Sequence, residues 1–215
     1  MTRHPLWNDA YWLLLLQLYL RKPAGVKPIY SRQLVELSLE LHIRPQLLYE
    51  QMFHLRNMDS PSLCHLWKTF ADNPRRLSRE VKRLKAMQGF GHAQEFYKDV
   101  DVNESFETDF RPIPGHGTLT PMMLTIILDL YFRLTPATMV KETPELQELA
   151  RLLHLDAGTV VKVMETFQCC DPYLGRRRQA DSGLLPHCQR LWQLYGNDNP
   201  EKLAATAAQM KEYFR

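Results

Sequence analysis

The stretch Leu16-Gln17-Leu18-Tyr19-Leu20-Arg21 returns as Leu128-Asp129-Leu130-Tyr131-Phe132-Arg133, 112 residues further along the chain. At that offset the agreement extends outward without a gap. Ser31, Leu34 and Leu37 fall on Thr143, Leu146 and Leu149. Leu41, His42 and Ile43 fall on Leu153, His154 and Leu155, and Met52 falls on Met164. At a slightly larger offset Leu66, Trp67, Phe70, Asn73, Pro74 and Leu77 correspond to Leu191, Trp192, Tyr195, Asn199, Pro200 and Leu203. The extra residues of the second copy gather around Leu174–Leu185, as expected of a surface loop, where insertions are cheap. The chain therefore reads as a tandem duplication, with copies at 1–87 and 119–215 and an extended linker at 88–118. Two such copies are expected to pack about a pseudo-twofold axis or to sit as separate beads.

Helix starts punctuate both copies. A capping residue followed by proline recurs at Ser60-Pro61, Asn73-Pro74, Thr120-Pro121, Thr143-Pro144 and Asn199-Pro200. Proline suits the first helical position because the N–H it lacks has no intrahelical partner there. Apolar residues between these starts run at helical spacing. The pattern predicts helices at 8–21, 31–42, 45–57, 61–71 and 74–87, then at 121–133, 144–154, 157–168, 184–195 and 200–214. The fold class is all-α, with five helices per copy. Only 9 Gly against 14 Pro argue against an all-β chain with many tight turns. Neither GxGxxG nor GxxxxGK[ST] occurs, so no phosphate-cradling loop is expected.

The apolar run Tyr11–Leu20 is too short for a membrane span and is not followed by a small-residue cleavage site. Its counterpart at Met122–Phe132 lies deep in the chain, so both are read as core helices and no membrane partner is expected. Cys64, Cys169, Cys170 and Cys188 are read as reduced thiols of a cytoplasmic protein. A zinc site from Cys169, Cys170, His187 and Cys188 is disfavoured. Adjacent cysteines chelate poorly, and the repeat aligns Cys170 with Met58 and Cys188 near Cys64, as small apolar positions. His42 and His154 sit where a helix ends, a structural place for imidazole. The matched aromatics Tyr19 with Tyr131 and Trp67 with Trp192 are expected as core anchors. No catalytic constellation stands out, so no enzyme, cofactor or metal is expected.

Within each copy two short helices flank a brief turn. In the second copy Leu149, Leu153, Leu155, Val160 and Val163 fill the five apolar positions that lock two helices at a steep angle, with Ala150 as the small residue between them. In the first copy Leu37, Leu41, Ile43 and Leu48 fill four, Gln51 stands at the fifth, and Ser38 is the small residue. These stretches, about 20 residues in each copy, resemble the core of helix-turn-helix or winged-helix DNA-binding domains. The motif favours Gly in the turn, where this chain has His42 and His154. The resemblance implies a DNA-directed protein of regulatory type in which Arg44, Gln46 and Lys162 enter a groove.

The charge pattern adds phosphate contacts. Residues 1–95 carry a net +6, residues 96–118 a net −3, and residues 119–215 none. Arg75, Arg76, Arg79, Lys82, Arg83 and Lys85 share one predicted helix whose core face would be Leu77, Val81 and Leu84. Arg176, Arg177 and Arg178 lie in the insertion of the second copy, where a winged-helix protein would place its wing. Double-stranded DNA is the first expected partner. The second reading is a non-enzymatic helical scaffold for protein partners, with the linker aromatics Phe96, Tyr97, Phe106 and Phe110 as anchors.

Overall fold

The computed structural model describes residues 7–87, 90, 106–174 and 183–215. Among them are ten α-helices and no strand, so the protein is all-α. It divides into two compact units, Met1–Ser105 and Phe106–Arg215. Unit 1 holds α1 (Tyr11–Leu20), α2 (Arg32–Leu41), α3 (Pro45–Asn57), α4 (Pro61–Phe70) and α5 (Pro74–Lys85). Unit 2 holds α6 (Pro121–Tyr131), α7 (Pro144–Leu153), α8 (Ala157–Cys170), α9 (Leu185–Tyr195) and α10 (Pro200–Lys211). No helix among the described residues is long and apolar enough to cross a membrane.

The start signals work through the expected atoms. Ser60 Oγ accepts from the Leu63 N–H, Asn73 Oδ1 from Arg76, Thr120 Oγ1 from Met123 and Asn199 Oδ1 from Glu201. Thr143 differs: its hydroxyl donates to the Thr138 carbonyl and leaves the first turn of α7 uncapped by a side chain. Ser31, its aligned partner, also stands at an N-cap without a side-chain bond. The last expected turn of the C-terminal helix tightens into a 3-10 turn at Glu212–Phe214.

The two apolar stretches build the two cores. In unit 1, α1 buries Leu14, Leu15, Leu16 and Leu18 and packs against α3, α4 and α5. In unit 2, α6 is buried along its whole length from Met122 to Tyr131, enclosed by α7, α8, α9, α10 and a 3-10 turn at Phe106–Phe110. A helix apolar on nearly every face has to be central. Its single charge, Asp129, is neutralised by Arg133 at 2.7 Å and by Lys211 of α10 at 3.4 Å.

Matched residues hold matched contacts. Tyr19 meets Trp67 edge-on at 5.6 Å, and Tyr131 meets Trp192 edge-on at 5.8 Å. α5 buries Leu77, Val81 and Leu84, while α10 buries Leu203, Ala207 and Met210 at the same spacing. Unit 2 starts well before Leu119, because Phe110 packs on Tyr213 and Ile113 is buried. Part of the expected linker thus belongs to a core, and Phe96 and Tyr97 lie outside the described residues.

Candidate nucleic-acid interface

The two helix pairs are joined by turns of one construction. His42 and His154 end α2 and α7 in the left-handed conformation, with φ of 55° in each case. The next N–H, of Ile43 or Leu155, reaches back to the carbonyl of Ser38 or Ala150 at 3.1 or 2.9 Å. This six-to-one bond is the Schellman closure of a helix, which usually places Gly at the left-handed residue. The motif position that favours Gly is thus the one that needs φ > 0. Ser38 and Ala150 are both buried, as a small residue between two helices must be. Leu37, Leu41, Ile43 and Leu48 are buried in unit 1, with Gln51 half-buried. In unit 2 Leu149, Leu153, Val160 and Val163 are buried and Leu155 is half-buried.

The second helices of the two pairs present different surfaces. On α3, Gln46, Glu50, Phe53 and Arg56 are exposed, and Arg44 is exposed at the N-cap. The Gln46 amide is committed to Glu50 Oε1 at 3.1 Å, so reading a base edge through it requires breaking that bond. Phe53 stacks edge-on with Tyr49 at 5.1 Å and forms an apolar shelf on the same helix. On α8, Lys162 alone is exposed. Gly158, Thr166 and Gln168 are buried with the apolar residues, since α6, α7 and α9 all pack against this helix. Most of α8 is therefore withheld from any groove.

The basic helix is the most open part of the site. Leu77, Val81 and Leu84 face the core, and all six cations of α5 are exposed. Arg83 is drawn to Glu80 at 3.1 Å, Lys85 to Glu40 of α2 at 2.6 Å, and Arg76 lies over the Phe70 ring at 5.3 Å. Arg75, Arg79 and Lys82 form no ion pair or hydrogen bond among the described residues. Spaced by four and three residues, they share the helix face opposite the core and span about 10 Å along the axis. They line one open hollow together with Pro74 and Ser78. Two tethers hold the helix: Gln17 of α1 donates to Ser78 Oγ at 3.4 Å, and the Lys85–Glu40 pair ties its end to α2.

The expected cluster thus divides into three open cations, Arg75, Arg79 and Lys82, and three engaged ones. Glu80 and Arg83 carry their pairing in their i,i+3 spacing. Glu40 and Phe70 as partners of Lys85 and Arg76 come from other helices, so local pattern does not show them. Lys162 belongs to unit 2, and Arg176, Arg177 and Arg178 lie outside the described residues. The cysteines are internal or half-buried. Cys188 is fully buried, Cys169 and Cys170 donate to carbonyls of their own helix, and burial pushes the Cys170 thiol up to about 11. No protein-family model, curated protein or solved structure gives a significant match to this chain.

Proposed function

We propose that this protein binds nucleic acid, double-stranded DNA first, and holds it by the phosphate backbone through unit 1. The carrying observation is the row of three exposed cations Arg75, Arg79 and Lys82 on one face of α5, which form no ion pair among the described residues. Cations that already serve local carboxylates give up those pairs on binding phosphate, whereas these three have nothing to lose but water and counterions. Arg44 at the start of α3 supplies a further cation, and Arg76 and Arg83 can swing from their partners. The enclosure of α8 and the Gln46–Glu50 bond favour backbone contact over base reading, so weak sequence preference is expected. Lys162 and Arg176–Arg178 are secondary contacts in this scheme.

The test is fluorescence anisotropy of a labelled duplex titrated with the full chain at low and at moderate salt. Binding that weakens with a log–log slope of about −2.7 to −5.4, from roughly three to six phosphates neutralised, supports the reading. Absence of binding at both salt concentrations refutes it. The scaffold reading is favoured by a separate observation, the Tyr49–Phe53 shelf on α3, with Phe53 36% exposed. A protein partner retained after nuclease treatment, and lost on Phe53→Ser, would decide for it.

A further inference from the structure

The face of α5 that carries Arg75, Arg79 and Lys82 holds a fourth residue, Ser78. It stands three residues after Arg75 and four before Lys82, so its side chain is their neighbour on the helix surface. All four residues line the same open hollow, together with Pro74. Ser78 is half-buried, at the edge of the row nearest α1, where Gln17 Nε2 donates to its Oγ at 3.4 Å.

A serine hydroxyl has one hydrogen to donate and two lone pairs with which to accept. Inside a helix that hydrogen commonly returns to the carbonyl four residues earlier. Thr69, Thr125, Thr166 and Thr206 all do this, donating to the carbonyls of His65, Pro121, Lys162 and Lys202 at 2.7, 3.1, 2.9 and 2.9 Å. Ser78 does not. Its oxygen accepts from Gln17, and its hydrogen has no acceptor among the described residues. A hydroxyl donor beside three cations suits an oxyanion and no other kind of ligand. A phosphate accepts from several directions at once, so a guanidinium, an ammonium and a hydroxyl can bond it together. Unit 2 lacks the whole set. Ala204 aligns with Ser78, and Glu201, Ala205 and Ala208 align with the three cations. Asp129, aligned with Gln17, is engaged by Arg133 and Lys211.

We propose that the hollow on α5 is a seat for one phosphate group, in which Ser78 Oγ–H donates to a phosphate oxygen and Arg75, Arg79 and Lys82 surround it. The seat rests on the reading of α5 as the binding helix and adds to it a neutral, directional ligand. A strand phosphate and a small phosphorylated molecule offer the same chemistry, so the experiment has two arms. In the first, the isotopically labelled full chain is titrated with inorganic phosphate and followed by NMR at the Ser78 backbone amide and the Gln17 side-chain amide. A saturable shift is expected, absent with sodium chloride at matched ionic strength. Ser78→Ala should weaken it about tenfold, as for a hydrogen bond to a charged group, and Ser78→Thr, which keeps the hydroxyl, should restore it. In the second arm, duplex anisotropy is read across a salt series. Ser78→Ala should lower affinity by a similar factor at every salt concentration with the slope unchanged, because a hydroxyl displaces no counterion. Arg75→Ala should make the slope shallower by about 0.9. A phosphate response that depends on Ser78 without duplex binding upholds the seat for a small phosphorylated ligand and removes the nucleic-acid reading. Duplex binding that is the same in wild type and Ser78→Ala overturns the seat and leaves that reading as charge attraction alone. No saturable phosphate response, or an equal one to chloride, also overturns the seat.

Discussion

His154 occupies a backbone conformation that a residue with a Cβ adopts at a cost of about 1–2 kcal/mol. It is exposed, and its N–H closes α7 on the Ala150 and Arg151 carbonyls. Glycine would keep those bonds and lose the steric penalty, against a loss of order in the unfolded chain. His154→Gly is therefore expected to stabilise the protein by about 0.5 kcal/mol, read from denaturant midpoints. His187 makes a pH prediction. Burial holds its imidazole below the usual 6.5, and the neighbouring His116 and Arg190 push in the same direction. The unfolded chain takes up that proton first, so the stability is fully present above pH 6.5 and is lost as pH falls from there through the lower pKa of the folded state. Thermal melts between pH 7.5 and 5.5 should show Tm falling toward acid, and His187→Gln should flatten the decline. A slope unchanged in that variant would assign the effect elsewhere.

At the scale of the element, α5 and α8 show what a local pattern reveals and what it hides. The core face Leu77, Val81 and Leu84 was legible because an amphipathic helix writes its buried side at a period of 3.6 residues. The proline-led starts were legible because they are chemistry confined to four consecutive residues. The enclosure of α8 was not, because Gly158, Thr166 and Gln168 read as polar or neutral, and only the packing of α6 and α9 buries them. The 3-10 turn at Phe106–Phe110 was hidden for the same reason, since Phe110 finds Tyr213 at the far end of the chain. For α8 as a structural helix, Phe167→Ala should cost about 3–5 kcal/mol, because the ring is fully buried. For α5 as a binding helix, replacing Arg75, Arg79 and Lys82 by Ala should leave each position's stability within about 0.5 kcal/mol. A large fall in Tm would make the row structural.

For the whole molecule the central question is what the uneven charge is for. The net +6 of residues 1–95 stands against a neutral 119–215. α10, which buries Leu203, Ala207 and Met210 as α5 buries Leu77, Val81 and Leu84, carries Glu201, Ala205 and Ala208 where α5 carries Arg75, Arg79 and Lys82. Helices with the same spacing of buried residues thus carry a cationic face in the first unit and a face with one carboxylate and no cation at these positions in the second. The most direct test compares the wild type with the Arg75→Ala, Arg79→Ala, Lys82→Ala variant by duplex anisotropy across a salt series. The predicted result is a log–log slope that becomes shallower by about 2.7, three counterion contacts at about 0.9 each, as affinity falls at low salt. A wild type that binds no duplex, or a variant with the same slope and affinity, would contradict phosphate binding through α5.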